Sequence, residues 1–165
     1  MAALTVGTKA PDFELKTLDG KRFLLSEALS RGPVVLAFFK VSCPVCQFAF
    51  PYLERLHKAY RQQGFSLVAV SQNDAKETAA FNKEFGVTFP VLLDELSRYP
   101  VSNAYGLTNV PTLFWIASDG EIEVSSVGWL RTDFESVNRR MAEAGKLAAT
   151  PLFKPAESVP DFRAG

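Results

Sequence analysis

The stretch VVLAFFKVSCPVC, residues 34 to 46, decides the fold and holds both cysteines of the chain. Its first six residues are β-branched, aliphatic or aromatic without a break, the pattern of a strand covered on both faces. Pro44 suits the first position of a helix, where its missing N–H costs nothing. A strand that turns into a helix at Cys43 aims unpaired amides and the helix dipole at the sulfur, which favours a thiolate by up to about 2 kcal/mol in partly buried geometry. Cys46 follows one turn on, within reach of a disulfide with Cys43 and displaced toward the buried side. Four chemistries fit such a pair: a redox dithiol, half of a metal site, a peroxide-reducing thiol with its partner, or two unreactive apolar residues.

Working outward, Phe48, Tyr52, Leu56 and Tyr60 recur at intervals of four, while Glu54, Arg55, Lys58 and Arg61 fall largely elsewhere. This predicts an amphipathic helix from Pro44 to about Gln63, ended by Gly64 and kinked at Pro51. FSLVAVS is a second buried strand, residues 75 to 85 a further helix ended by Gly86, and FPVLLD a short third strand. Upstream, two short strands around Asp19-Gly20 predict an N-terminal hairpin, with Ser26 capping a short helix to Ser30. Downstream, residues 95 to 105 read as an irregular helix interrupted by Pro100. TLFWIA and EIEVSSV then form a hairpin across Ser118-Asp119-Gly120, and a last helix runs from Thr132 to Ala144. The tail beyond Gly145 carries Pro151, Pro155 and Pro160 without a clear period, and is expected to be extended or mobile.

A βαβ unit followed by an antiparallel hairpin and a helix predicts an α/β fold: a central mixed β-sheet flanked by helices. Sites in such sheets lie beyond the C-terminal ends of the strands, where Cys43 and Cys46 stand. The expected division is a domain over residues 1–146 and a proline-containing tail over 147–165.

At 165 residues the chain can bury a full core as one domain. Eighteen basic and eighteen acidic residues cancel, which argues against nucleic acid as a partner. No apolar run is long enough for a bilayer, and the first residues carry no export pattern, so a soluble, cytoplasmic protein is expected. A metal site would need two more soft ligands, and beyond the two cysteines there is only His57, expected at the surface or a core edge. No metal and no cofactor are therefore expected. Unreactive cysteines are disfavoured because CxxC beside a βαβ pattern is a redox signal.

The set of VVLAFFK, the CxxC of Cys43 and Cys46, Pro51 eight residues after Cys43, and NVPT before LFWIA resembles the thioredoxin superfamily. That resemblance implies a thioredoxin fold in which Pro111 is cis and faces the CxxC. The N-terminal hairpin extension and the inserted αβ segment QNDAKETAAFNKEFGVTFPVLLD are similar to the TlpA-like and peroxiredoxin-like redoxin branch. It covers residues 7 to about 145. The chain departs from thioredoxin at three places. Ser42 replaces the tryptophan before the first cysteine, Ala37 replaces the buried aspartate, and Pro44-Val45 replaces Gly-Pro, closer to glutaredoxin and DsbA-type proteins.

The resulting expectation is a thiol-disulfide oxidoreductase acting in cell redox homeostasis, with Cys43 as nucleophile and Cys46 resolving, reducing protein disulfides. Pro44, Val110, Pro111 and Thr112 are expected to shape the substrate groove, where extended substrate backbone would pair beside Val110. Ser42 and Lys40 are expected to tune the thiolate. Gly128 lines the groove and Trp129 packs in the core. The expected partners are protein or small-molecule disulfides and a further redox protein. A thiol peroxidase is the second enzyme reading, but the residues seven and three before Cys43 are Leu36 and Lys40, not the Pro and Thr or Ser that orient peroxide. A non-catalytic interaction module is the third.

Overall fold

The structure, a computed structural model, describes residues 2–60 and 65–165. The decisive stretch folds as read. Strand β3 (Val34–Phe39) is buried along its whole length, and four residues separate it from α2 (Pro44–Tyr60). The expected helix end at Gly64 lies outside the described residues.

β3 sits inside a seven-stranded mixed sheet, parallel to β4 (Ser66–Ser71) on one side and antiparallel to β6 (Thr112–Ile116) on the other. β4 pairs in parallel with β5 (Val91–Leu93), and β6 with β7 (Ile122–Val127) in the expected hairpin. The N-terminal hairpin of β1 (Glu14–Thr17) and β2 (Arg22–Leu24) joins antiparallel to β5, giving the order β2-β1-β5-β4-β3-β6-β7. With its period of two, β3 sends Val35, Ala37 and Phe39 into one core and Val34, Leu36 and Phe38 into the other. The first core is closed by α2, α3 (Ala75–Phe85) and α5 (Arg131–Ala144). The second is closed by α1 (Leu25–Leu29) and α4 (Pro100–Ala104). Helices thus cover both faces.

Several local expectations change. Ser26 does not cap α1, whose N-cap is Leu24; the Ser26 N–H instead donates to Asp12 Oδ1 at 2.9 Å. Pro100 begins α4 rather than interrupting it, after a left-handed Tyr99 (φ 47°). The reason lies at Asp94, whose buried carboxylate accepts from the N–H groups of Val101 (3.3 Å) and Ser102 (2.8 Å) at the helix start. Glu54 is not on the solvated face of α2. It is 6 % exposed, and accepts from Thr88 N (2.8 Å) and Thr88 Oγ1 (2.6 Å). His57 is half-buried against Phe89, at the core edge where it was expected.

The tail lacks helix, as its prolines predict, but it is packed. Leu152 is buried in the first core, and Thr150 N donates to the Tyr60 hydroxyl at 2.8 Å. Arg55 holds Glu157 through two hydrogen bonds of 2.6 and 2.5 Å. The Trp129 indole N–H donates to Pro160 O (2.8 Å), and β9 (Phe162–Arg163) pairs antiparallel with β8 (Trp129–Leu130). The apolar residues that anchor the tail are too widely spaced to show a period, which is why the sequence pattern did not reveal them.

Candidate active site

Two elements make the site: the β3–α2 junction and the turn before β6. At the junction, Cys43 N donates to Lys40 O at 3.2 Å, closing the turn that brings the chain into α2. The Cys46 N–H, an amide at the helix start, points at Cys43 Sγ from 3.2 Å, and Cys43 Sγ lies 3.4 Å from Val110 O. A sulfur that accepts a helix amide is placed to carry negative charge, and one that donates S–H to a carbonyl is held in the neutral form. Cys43 has both partners. It is half-buried, while Cys46 is completely buried; both are free thiols.

Burial first, and then the hydrogen bond with Cys43, push the Cys46 thiol well above the ordinary range. Ala37, where thioredoxin has its aspartate, leaves β3 apolar beneath it. Among the described residues no group of three or more His, Cys, Asp and Glu gathers to hold a metal ion.

The turn before β6 carries Val110 and Pro111, joined by a cis peptide, as the resemblance implied. The Val110 carbonyl faces Cys43 Sγ, and the cis bond joins it to the buried Pro111. Thr112 is fully buried and its Oγ1 donates to Asn109 O at 2.8 Å, so it shapes the turn from beneath. Pro44, Ser42 and Lys40 are exposed around Cys43. Lys40 and Cys43 share a cleft of about 370 Å³ with Gln72, Leu107, Asn109 and Gly165.

Several of these groups escaped the sequence reading. Gln72 follows β4 directly, and its Nε2 donates to Ser102 Oγ (2.9 Å), which in turn donates to Asp94 Oδ2 (2.7 Å). Asn73 Oδ1 accepts from Val41 N at 3.0 Å and so fixes the loop that carries Cys43. Their signal was position alone, since both stand just past a C-terminal strand end. Nothing local marks Gly165 for the cleft.

Comparison with known proteins agrees with this geometry. The family model described as AhpC/TSA matches residues 6–125, which include the cysteines, the cis proline and the N-terminal hairpin. The chain belongs to the AhpC/TSA family. Within it, the chain is 35 % identical over 122 residues to the thiol-disulfide oxidoreductase ResA of Geobacillus thermodenitrificans, covering 73 % of this chain and 68 % of that protein. It is 36 % identical over 121 residues to ResA of Bacillus subtilis, covering 73 % and 66 %. Among solved structures, a putative protein disulfide isomerase from Bacteroides thetaiotaomicron superposes with a TM-score of 0.80 at 25 % identity, over 88 % of this chain and 95 % of that one. A putative thiol:disulfide interchange protein DsbE from Chlorobium tepidum gives 0.74 at 28 %, over 86 % and 99 %. The fold is that of the thioredoxin superfamily in its redoxin branch, and the protein is a thiol-disulfide oxidoreductase.

Proposed function

We propose that the protein reduces disulfides of other proteins, with Cys43 as the attacking sulfur and Cys46 as the resolving one. The observation that carries this reading is the asymmetry of the pair: Cys43 Sγ is at the mouth of the cleft with an amide donor, and Cys46 is buried behind it. The Cys43 thiolate attacks one substrate sulfur, forming a mixed disulfide and releasing the other sulfur as a thiolate. Cys46, once deprotonated, attacks Cys43 Sγ, forming the Cys43–Cys46 disulfide and releasing the second substrate thiolate. Two electrons pass from the protein dithiol to the substrate, and the two thiol protons end on the two products.

Val110 and Pro111 form the wall against which substrate backbone lies, with Pro44 opposite and Thr112 supporting the turn. Lys40 and Ser42 add positive charge and a hydroxyl beside the reacting sulfur. The domain body is residues 1–146, with 147–165 an appended tail, and a further redox protein re-reduces the disulfide. No described helix is long and apolar enough to cross a membrane. Reduction, rather than formation, of disulfides goes with a cytoplasmic setting.

The test is a Cys46→Ser variant incubated with cell lysate. It should accumulate mixed disulfides through Cys43, released by dithiothreitol, while Cys43→Ser accumulates none. Absence of trapped species from Cys46→Ser would overturn the proposal. Equilibration in glutathione buffers gives the direction: closure of the disulfide near or below about −250 mV fits a reductase, and a value near about −150 mV an oxidase or isomerase.

A further inference from the structure

The tail does more than pack against the body, because its last residues run into the active site. After Arg131 N donates to Asp161 O (2.9 Å), the chain pairs Phe162 with Leu130 and Arg163 with Trp129, and continues across the corner between Gly128 and Val110. The approach at that corner is tight. A Cβ on Gly128 would come within 2.6 Å of Arg163 O and 3.0 Å of Gly165 N, and one on Gly165 would collide with the Val110 carbonyl oxygen. Asn109 Nδ2 donates to Gly165 O at 3.2 Å, and the Arg163 guanidinium lies 4.3 Å over the Phe48 ring, one turn below the cysteines.

Val110 is where an extended chain would add its backbone to the fold beside Cys43, and strand addition needs that edge free. The tail lies across it. We propose that residues 162–165 are a specificity-determining wall: docked, they reserve the Val110 edge and leave Cys43 facing only the cleft of Lys40, Gln72, Leu107 and Asn109. In this state the site takes a small disulfide. A cysteine within an extended protein segment reacts only when the wall swings aside. The inference rests on the exchange chemistry proposed above.

The anchoring of the tail is graded in the way such a part requires. Leu152, the Arg55–Glu157 pair and the Trp129–Pro160 bond hold its base within or against the body. Residues 161–165 are all exposed, Phe162 at 57 %, and are held by the Arg131–Asp161 backbone bond, a two-residue ladder, one cation–π contact and the Asn109 amide. Segments with few buried contacts open locally at low cost while their anchors stay in place. A wall closed nine times in ten lowers the apparent reactivity toward an extended substrate about tenfold, and hardly touches a small one.

The test compares the wild type with Arg163→Ala, which removes the cation–π contact, and with Arg163→Pro, which also unfits residue 163 for the ladder; neither touches the cleft lining or an anchor of the tail base. Each is assayed with insulin and with hydroxyethyl disulfide. Each is also tested for alkylation of Cys43 by iodoacetamide and by a maleimide carrying a long polymer chain. The expected result is a rise of about tenfold in kcat/KM for insulin, with hydroxyethyl disulfide within about twofold. Equal changes for both disulfides, or none, would overturn the wall. The alkylation ratio separates this from failure of the exchange reading. If no form reduces either disulfide, a polymer-to-iodoacetamide ratio that rises in the variants still supports the wall, and an unchanged ratio refutes it.

Discussion

A buried thiol without a neighbouring base makes a kinetic prediction about Cys46. Burial is the first cause of its raised titration point, and burial persists after Cys43 has been consumed in a mixed disulfide. Because a thiol far below its pKa gains thiolate tenfold per pH unit, the resolving step should accelerate about a thousandfold between about pH 7 and about pH 10. An ordinary cysteine titrating near about 8.5 would gain only about thirtyfold over the same range, and would level off above about pH 9. Stopped-flow mixing of the reduced protein with 5,5′-dithiobis(2-nitrobenzoate) separates the steps. Release of the first thionitrobenzoate depends on reagent concentration, and release of the second, by Cys46, does not. The second phase should plot against pH as a straight line of unit slope, and Cys46→Ser should lose it. A plateau near the ordinary thiol range would refute the claim that Cys46 is held neutral by its burial.

The same group links pH to stability. Its folded pKa lies above its unfolded one, so its contribution is complete below about 8.5 and is lost as the pH rises from there toward the folded value. The reduced wild type should therefore lose about 2 kcal/mol more than Cys46→Ala between about pH 7 and about pH 10 in urea unfolding, and parallel losses would contradict this. Glu54→Ala removes the acceptor of the Thr88 amide and hydroxyl, and should cost about 3 kcal/mol while leaving iodoacetamide alkylation of Cys43 unchanged; a loss below about 0.5 kcal/mol would show that water replaces the carboxylate. Arg55 holds the Glu157 carboxyl down to about 2, so the pair's contribution is present above the usual carboxylate range and fades as the pH falls toward that value. Proteolysis of the tail should accelerate through that acid window in the wild type, and Glu157→Gln should flatten the dependence.

The sheet and its helices were legible wherever a run was continuous. The unbroken apolar β3, the periodic α2 and the Gly86 stop of α3 (φ 68°) each carry their signal within a few residues. The dithiol was legible for the same reason, as two cysteines and a proline in a fixed local frame. Errors arose where a polar residue is satisfied from far away in sequence. Glu54 resembles any solvated glutamate until Thr88 arrives 34 positions later, and Asp94 takes over the start of α4 from outside it. The cleft is the extreme case: Cys43, Gln72, Asn109 and Gly165 come from four separate segments, and neither spacing nor periodicity relates them.

Trp129 has a consequence for observing this protein at work. Its completely buried indole is packed against Phe48, Phe134 and Phe153, and its N–H is given to Pro160 in the tail. Trp115, the other tryptophan, is fixed inside the sheet opposite Val35 and Val124. Indole emission shifts to longer wavelength when the ring meets water. In a Trp115→Phe background the chain would thus carry one fluorophore, built in and unlabelled, whose colour tells whether the base of the tail is seated. Followed during turnover, it would distinguish a tail that opens only at its tip from one that peels away as a whole.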